Sequence, residues 1–515
     1  MTFIRKKRVG DSTYLYVVSN TRIGTKIIQT AQYIGKEDRL PQLLSNCAVA
    51  KVLTSENLQN LLYQTPVTLW NLMEQAEIQT VMKAHFSKKW GVDAATAAGV
   101  MILNYATDRH TKNTLHEWYE QTWLPHLLKI PPQKMNKDLL CRTMDFFTEE
   151  KIEQIHAEIF RNVREKFRLS DNILFYDITD ITFEGSKCPL AEHGYNSRHA
   201  YQPQVNLAMP VTLERFPVSH KVFEGSTKDS KTLDASIALV EKTGIMQKTV
   251  FIFDRGICSK ANFDLIESKG AQFICGYTKN SKVKTRIAAL KPDQFIKIDD
   301  DISFHETNDM NRRLIFFWSK KLQEEQVDFR QKRIKKIEEK LSKLAKTAGR
   351  YQLSRLHERI GAICSSYRKF FDIKTEPSFS FSIRQEILDK AIAIEGKYAI
   401  LTDTALGPKE VLKHYRDRNF IEMSFKDLKM FVDVRPVHHW KEQRVLAHIF
   451  LAVLAFGLRS LLQLRLHRAG LQISTEEAIS QMNKVRVLSA RGKILRLTGE
   501  CEEVRKIVSA IETAC

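Results

Sequence analysis

The segment Tyr415-Arg416-Asp417-Arg418-Asn419-Phe420-Ile421-Glu422-Met423-Ser424-Phe425-Lys426-Asp427-Leu428-Lys429 lies in a stretch, Lys409 to Met430, whose pattern predicts a helix. Tyr415, Arg418, Glu422 and Lys429 are separated by 3, 4 and 7 residues. On an α-helix that spacing puts all four on one face. Phe420, Met423 and Leu428 fall off that face and can reach a core. One acid among two bases and a phenol suits a phosphodiester: Glu422 would complete a metal cluster, while Arg418 and Lys429 would bind phosphates. The same spacing also describes a solvated face with salt bridges between helix neighbours.

Upstream, Ile173 to Phe183 reads as a strand buried on both faces at its start. Gln204 to Val211 reads as a second strand, and Lys248 to Asp254 as a third that breaks at Arg255-Gly256. Helical patterns lie between them, so the middle of the chain is α/β. Asp177 and Asp254 each close an apolar strand, and a carboxylate on a rigid element is well placed to hold a metal. Carboxylates gathered together raise one another's proton affinity unless a cation compensates. Mg²⁺ takes oxygen ligands and keeps water positions open. Two such ions about 4 Å apart activate a water or hydroxyl and stabilise the leaving oxygen. Each aspartate also has a plainer reading: Asp177 ends a strand, and Asp254 caps the helix after Gly256. Asp180 competes with Asp177, but three residues along a strand points to the opposite face.

The chain has 515 residues, and at ~150 residues per domain it holds about three units. Hydrophobic residues make up 43%, enough for a sizeable core, while Gly 20 and Pro 13 exclude collagen-like or long low-complexity stretches. Lys and Arg number 80 against 60 Asp and Glu, a net charge of +20. That balance favours a polyanion, either nucleic acid or an anionic membrane surface, although a basic protein without such a partner has the same composition. The membrane reading weakens because the longest apolar run, Val445 to Leu458, is broken by His448 and flanked by Arg444 and Arg459. It is short for ~30 Å of hydrocarbon and reads as a buried core helix. The N-terminus is basic but lacks the apolar stretch of a secretory signal. Eight cysteines are scattered with no Cys-x-x-Cys pair, which argues against a zinc ribbon or thioredoxin-type site and fits a reducing cytoplasm.

Thr13 to Val18 and Thr25 to Thr30 alternate like strands. From about 60 to 168 the pattern is helical, with Thr148 placed to cap one helix. Residues 281–385 look added. Phe295 to Ile298 and Arg313 to Trp318 are short strands, and a long charged helix follows with an apolar stripe at Val327, Ile334, Ile337, Leu341, Leu344 and Ala348. A helical hairpin is expected there, folding back through Leu353, Leu356 and Ile360 with Gly349 near the turn. Tyr398 to Asp403 returns to strand.

Y-x-x-R-x-x-x-E-x-x-x-x-x-x-K, matched by Tyr415, Arg418, Glu422 and Lys429 at every spacing, resembles the signature of one large branch of bacterial insertion-sequence transposases of the DDE type. Tyr176-Asp177-Ile178-Thr179 with Phe183-Glu184-Gly185 resembles that branch's first-aspartate strand. Phe253-Asp254-Arg255-Gly256 resembles its second-aspartate block. Gly194-Tyr195-Asn196, Pro203-Gln204-Val205 and Phe223-Glu224-Gly225-Ser226 are similar to its Gly-Tyr-Ser, Pro-Gln-Val and Glu-Gly-Asn motifs, and Arg435-Pro436-Val437 is also familiar. The resemblance covers roughly residues 170 to 460. Asp180 departs from an expected Thr, and Ser226 stands where Asn is commoner; neither touches the acidic triad.

The resemblance implies an RNase H-like fold, a mixed sheet flanked by helices and interrupted by a β-rich and helical insertion. Residues 1–60 would be an N-terminal β-rich region and 61–168 a helical DNA-binding region. Residues 169–280 and 386–465 would form the two parts of the catalytic core, 281–385 the insertion, and 466–515 a C-terminal helical region. Asp177, Asp254 and Glu422 would be the catalytic residues and hold two Mg²⁺ ions, with Mn²⁺ able to substitute. Tyr415, Arg418 and Lys429 would grip DNA phosphates. The implied chemistry is cleavage at the ends of an insertion sequence, followed by attack of the freed 3′-hydroxyl on target DNA. Relatives cut through a hairpin, which requires an unstacked base. Trp318 could stack on such a base, but it reads equally as a core tryptophan beside Phe316 and Phe317. Implied partners are double-stranded DNA, as terminal inverted repeats and as target, and a second subunit in a synaptic complex; no membrane is implied, and the location is the bacterial cytoplasm at the nucleoid. Two other readings keep the fold: a catalytically silent DNA-binding descendant, and an RNase H-like nuclease of another kind.

Overall fold

In a computed structural model the chain is described over residues 2–23, 26–39, 58–86, 91–184, 187–195, 200–247, 249–277, 281–430, 432, 434, 437, 439–490 and 493–512. Thr25, Gly185, Asn196, Lys248, Arg435 and Pro436, named above, lie outside these residues. The alternating N-terminal segment forms β1 (Thr2–Val9), β2 (Ser12–Ile23) and β3 (Lys26–Lys36), an antiparallel three-stranded sheet. Strand β4 (Leu58–Leu62) then leads into helices that run to Phe167. Thr148 caps the last of them, its hydroxyl accepting from the Lys151 N–H at 3.3 Å.

The middle of the chain builds a ten-stranded mixed sheet. Its strands are β5 (Ile173–Thr182), β6 (Glu192–Tyr195), β7 (Tyr201–Val211), β8 (Lys221–Glu224), β9 (Val250–Phe253), β10 (Gln272–Gly276), β11 (Ile296–Lys297), β12 (Ile302–Asp309), β13 (Arg312–Ser319) and β16 (Lys397–Thr402). The order is β11-β12-β13-β16-β10-β9-β5-β7-β6, with β8 also on β7. Strands β5, β9 and β10 run parallel at the centre, and the other pairs are antiparallel. Parallel strands are covered on both faces, which explains why β9 is buried along its whole length.

The 281–385 stretch divides between two cores. Strands β11 to β13 join the central sheet through β13 and β16, and Leu314 to Phe317 are buried in the main core. Trp318 is half-buried on β13; its ring packs edge-on against Phe295 and its N–H donates to Gln323. The charged helix Lys320–Ala345 turns back at Gly349 into Leu353–Cys364. Ile334, Ile337, Leu341 and Leu344 meet Leu356 and Ile360 in a separate core, as the apolar stripe predicts, whereas Leu353 is exposed. The pair β14 (Phe371–Lys374) and β15 (Ser380–Ile383) completes that unit.

The apolar run extends to a helix over Glu442–Arg468, long and apolar enough to cross a membrane, yet its apolar window is wholly buried within the protein. It packs against the equally apolar helix Ala94–Thr107. The tail after it is not only helical. Strand β17 (Arg486–Ala490) pairs with β18 (Lys493–Thr498) on one side and with β4 on the other, so segments far apart in sequence share one three-stranded sheet. Burial alternates along β17, with Val487 and Ser489 inside and Arg486 and Leu488 half-exposed, but polar Ser489 inside and apolar Leu488 outside hide that period in the sequence.

Two histidines are locked in this core. His156 Nε2 donates to Pro217 O at 3.2 Å, which leaves Nδ1 to accept from His220 Nδ1 at 2.9 Å. Both rings lie against Phe450 of the buried helix. A proton added to His156 Nδ1 would face the His220 N–H. Burial therefore lowers His156 from 6.5 to about 4 and holds His220 well below its usual value. Between pH 6.5 and about 4 the unfolded chain takes up a proton that the folded chain refuses. This contribution is complete above pH 6.5 and declines as the pH falls, by roughly 3 kcal/mol for a shift of this size. Denaturation curves collected across that range should show the acid-side loss of stability, and His156→Gln should lessen it while the part due to His220 remains.

Candidate active site

Strands β5 and β9 pair in parallel, Ile173 with Val250 and Phe175 with Ile252. That register brings Asp177 level with Asp254, the residue following β9. The preceding residues are buried and apolar on both strands; Asp254 follows the last residue of β9, whereas Asp177, expected to close its strand, stands in the middle of β5, which continues to Thr182 in its pairing with β7. The carboxyl ends of parallel strands are where open α/β sheets place their sites. Asp254 begins a one-turn helix, Arg255–Ile257, but its side chain makes no capping bond. Instead its Oδ1 accepts from Tyr415 Oη at 3.4 Å, and its Oδ2 lies 3.2 Å from Arg418 Nη1.

One helix is expected from Lys409 to Met430; the structure has two, Pro408–Asp417 and Asn419–Met430. The break is at Arg418, where the turn tightens: Arg418 N–H donates to Tyr415 O, and Ile421 N–H to Arg418 O. The first helix packs on β9 and β10, the second on β5. Ile421, Phe425 and Leu428 are buried and Phe420 meets Phe175 edge-on, whereas Met423 is exposed. Despite the break, Arg418 Nη2 reaches Glu422 Oε1 at 3.0 Å, and its guanidinium lies over the Tyr415 ring at 5.5 Å. Tyr415, Arg418, Glu422 and Asp254 are thus one linked group. Lys429 stands apart from it. Its ammonium is 3.4 Å from Asp180 Oδ1, and both side chains are about a tenth exposed. Asp180 therefore reaches the same helix that carries Glu422.

Charge explains this arrangement. Withdrawal from water raises the Asp177 carboxyl to about 6; the Ile178 N–H and Arg418 pull it down, and Asp254 and Glu422 push it up. Burial would lower Arg418, but Asp254, Tyr415 and Glu422 outweigh that and hold its guanidinium protonated. Burial raises Tyr415 to about 12, so it remains a donor. Arg418 Nε is buried with no hydrogen-bond partner among the described residues. Three carboxylates that sense one another are an oxygen donor set of the kind Mg²⁺ takes. Among the described residues, no three His, Cys, Asp or Glu side chains stand close enough together to hold a metal ion. The positive charge between Asp254 and Glu422 is Arg418 itself.

Two features escape a reading of the sequence. The Asp180–Lys429 pair joins residues 249 apart in sequence, and no local pattern announces it. Gly276 is the other. It ends β10 directly beneath Tyr415, and a Cβ there would lie 2.1 Å from Tyr415 Oη. A glycine closing an apolar strand marks such a close approach, so this signal was available.

Compared with known proteins, the family model described as the transposase DDE domain matches residues 168–458 of the chain. No curated protein matches it.

Gly276→Ala should push the Tyr415 ring off β10 and lower stability by about 1–3 kcal/mol, as overpacking does. In a Tyr415→Ala background the same methyl has room, and the substitution should be close to neutral. Chemical denaturation of the two single variants and the double variant checks this non-additivity.

Proposed function

We propose that this chain, which belongs to the transposase family that carries the DDE domain, cleaves DNA at the ends of an insertion sequence and joins them to target DNA by two-metal phosphoryl transfer. The observation that supports this most directly is the convergence of Asp254 and Glu422 on Arg418, with Asp177 level with Asp254 on the neighbouring parallel strand. In this reading residues 169–280 and 386–465 form an RNase H-like core, and Tyr415, Arg418, Glu422 and Lys429 mark the branch of the family. No observation favours a catalytically silent descendant.

DDE transposases generally use divalent metals. Asp177, Asp254 and Glu422 would hold two Mg²⁺ or Mn²⁺ ions, whose chemistry is to activate an attacking oxygen and stabilise a leaving one. The remaining tasks fall to the chain. Rigid strands fix Asp177 and Asp254 relative to each other, and the helix on β5 brings Glu422 to them. Arg418 offers a planar fork and a spare Nε–H, a donor set that matches a phosphate's oxygens. Tyr415 places a second donor beside Asp254. Lys429 joins the phosphate grip when its pair with Asp180 opens. The helical region 61–168 would read the terminal inverted repeats, and two chains would bring two ends together in a synaptic homodimer, in the cytoplasm at the nucleoid. Residues 320–369 hold 15 Lys and Arg against 6 Asp and Glu, so the helical hairpin would lie along the DNA backbone.

With duplex DNA carrying the inverted repeats that flank the gene, and with Mg²⁺ or Mn²⁺, the protein should cut at the element's ends. Asp177→Ala, Asp254→Ala and Glu422→Ala should each abolish cutting while gel-shift binding persists; full cleavage by Glu422→Ala would sink the assignment. Replacing the exposed Lys335, Lys336 and Lys340 by Gln should reduce the dependence of log affinity on log salt by about one per lysine. An unchanged slope would remove the hairpin from the DNA interface.

A further inference from the structure

Arg418 makes charge-assisted bonds to one oxygen of Asp254, at 3.2 Å, and one of Glu422, at 3.0 Å. Those are carboxylates that the proposed function assigns to divalent ions. A guanidinium and a metal ion cannot both take the same oxygens. We infer that Arg418 is a substrate-sensing residue: it occupies the acidic centre in the free protein and yields it to the ions only when a DNA phosphate takes the guanidinium. This inference rests on the two-metal reading and adds the order of events, DNA before full metal loading.

Three further observations carry it. First, the bond set of Arg418 is incomplete. Its Nε is buried without a hydrogen-bond partner among the described residues, so a phosphate satisfies a donor that the carboxylates leave unmet. Phosphate also accepts the flat guanidinium fork in a bidentate manner, which makes it a competent rival for the carboxylates. Second, Arg418 sits at the junction of two helices, where an α-helical ladder gives way to shorter-range bonds. A side chain at such a break changes direction without dragging a whole helix with it, and the Tyr415 ring, which the guanidinium already faces at 5.5 Å, supports the cation independently of the carboxylates. Third, the other basic group of the signature helix is not a substitute. Lys429 is engaged with Asp180, and among the described residues Arg418 is the one that bridges two of the three acids. Removing the guanidinium would leave Asp254 and Glu422 uncompensated beside Asp177, and this raises their joint demand for a divalent cation.

Because the two ligands are linked through one residue, the coupling is reciprocal: if DNA tightens metal binding by some factor, metal tightens DNA binding by the same factor. The test is Mn²⁺ binding followed by electron paramagnetic resonance, with and without a duplex that already terminates at the element's end and so leaves no bond to cut. The wild-type protein should bind Mn²⁺ weakly alone and about tenfold or more tighter with the duplex. Arg418→Gln should bind Mn²⁺ alone as tightly as wild type does with DNA, and gain little from DNA. Arg418→Lys, which keeps the charge but lacks the fork, should fall between them, and thermal melting of both variants controls for folding. Mn²⁺ binding by Arg418→Gln no tighter than wild type, or a wild-type affinity unmoved by DNA, overturns the inference while leaving the two-metal reading intact. Absence of Mn²⁺ binding in every protein, with DNA present, overturns that reading itself.

Discussion

Carboxylates that share a site repel one another, and those carried in on buried strands also lose their hydration; a positive charge among them is the condition on which the rest of this structure depends. Arg418 meets it, between Asp254 and Glu422 and within electrostatic reach of Asp177. Much of the local architecture serves that placement. The helix that carries Tyr415 ends one residue before Arg418, and the next begins one residue after it. Tyr415 can lie low over β10 because Gly276 has no side chain. The second helix is held on β5 by Phe420 against Phe175 and by Lys429 on Asp180.

That second helix is tied to the scaffold as well as to the strand. Arg215 donates from Nε to Ser424 Oγ and pairs with Asp427, while its own carbonyl accepts from Ser460 on the long buried helix. The buried helix is gripped in turn by Ala94–Thr107 and by the His156–His220 pair on Phe450. Glu422 is exposed, but its position derives from interior contacts that pass through Arg215 to residues hundreds of positions away in sequence. Supporting contacts of this kind allow a site to be stiff although its own side chains reach solvent.

Physical range decides what could be read from the sequence. Strands β5 and β9 and the aspartates that interrupt their apolar runs were legible, because such a run is a local pattern; that β5 continues past Asp177 to Thr182 depends on its pairing with β7. So were the Tyr415, Arg418 and Glu422 spacing, the Thr148 cap and the stripe from Ile334 to Leu344. The break at Arg418 was not. It arises where the two helices pack on different strands, one on β9 and β10 and the other on β5, a tertiary constraint that overrides a continuous helical pattern. The same holds for β4 pairing with β17 across more than 400 residues, and for β11 to β13, which look like an insertion in sequence and in space extend the central sheet.

The charge of the chain has a matching spatial logic. A centre with three acids repels the phosphates it is proposed to process, so in that reading the force that draws DNA in would come from elsewhere in the chain. The hairpin with the densest positive charge is fixed to the sheet at β16. Arg330 forms a buried pair with Glu395, Gln326 accepts from the Gly396 N–H at 2.9 Å, and the left-handed backbone of Gly396 lets the helix pass where a Cβ would lie 2.5 Å from Gln323. A buried ion pair contributes little net stability, but it does specify one arrangement over others. Through β16 and β10 the hairpin is two strands from β9, which leads into Asp254. In the proposed function attraction and chemistry would be separated along one sheet: the basic arm would supply the long-range pull, and the acidic centre, neutralised in part by Arg418, would meet a phosphate only at close range.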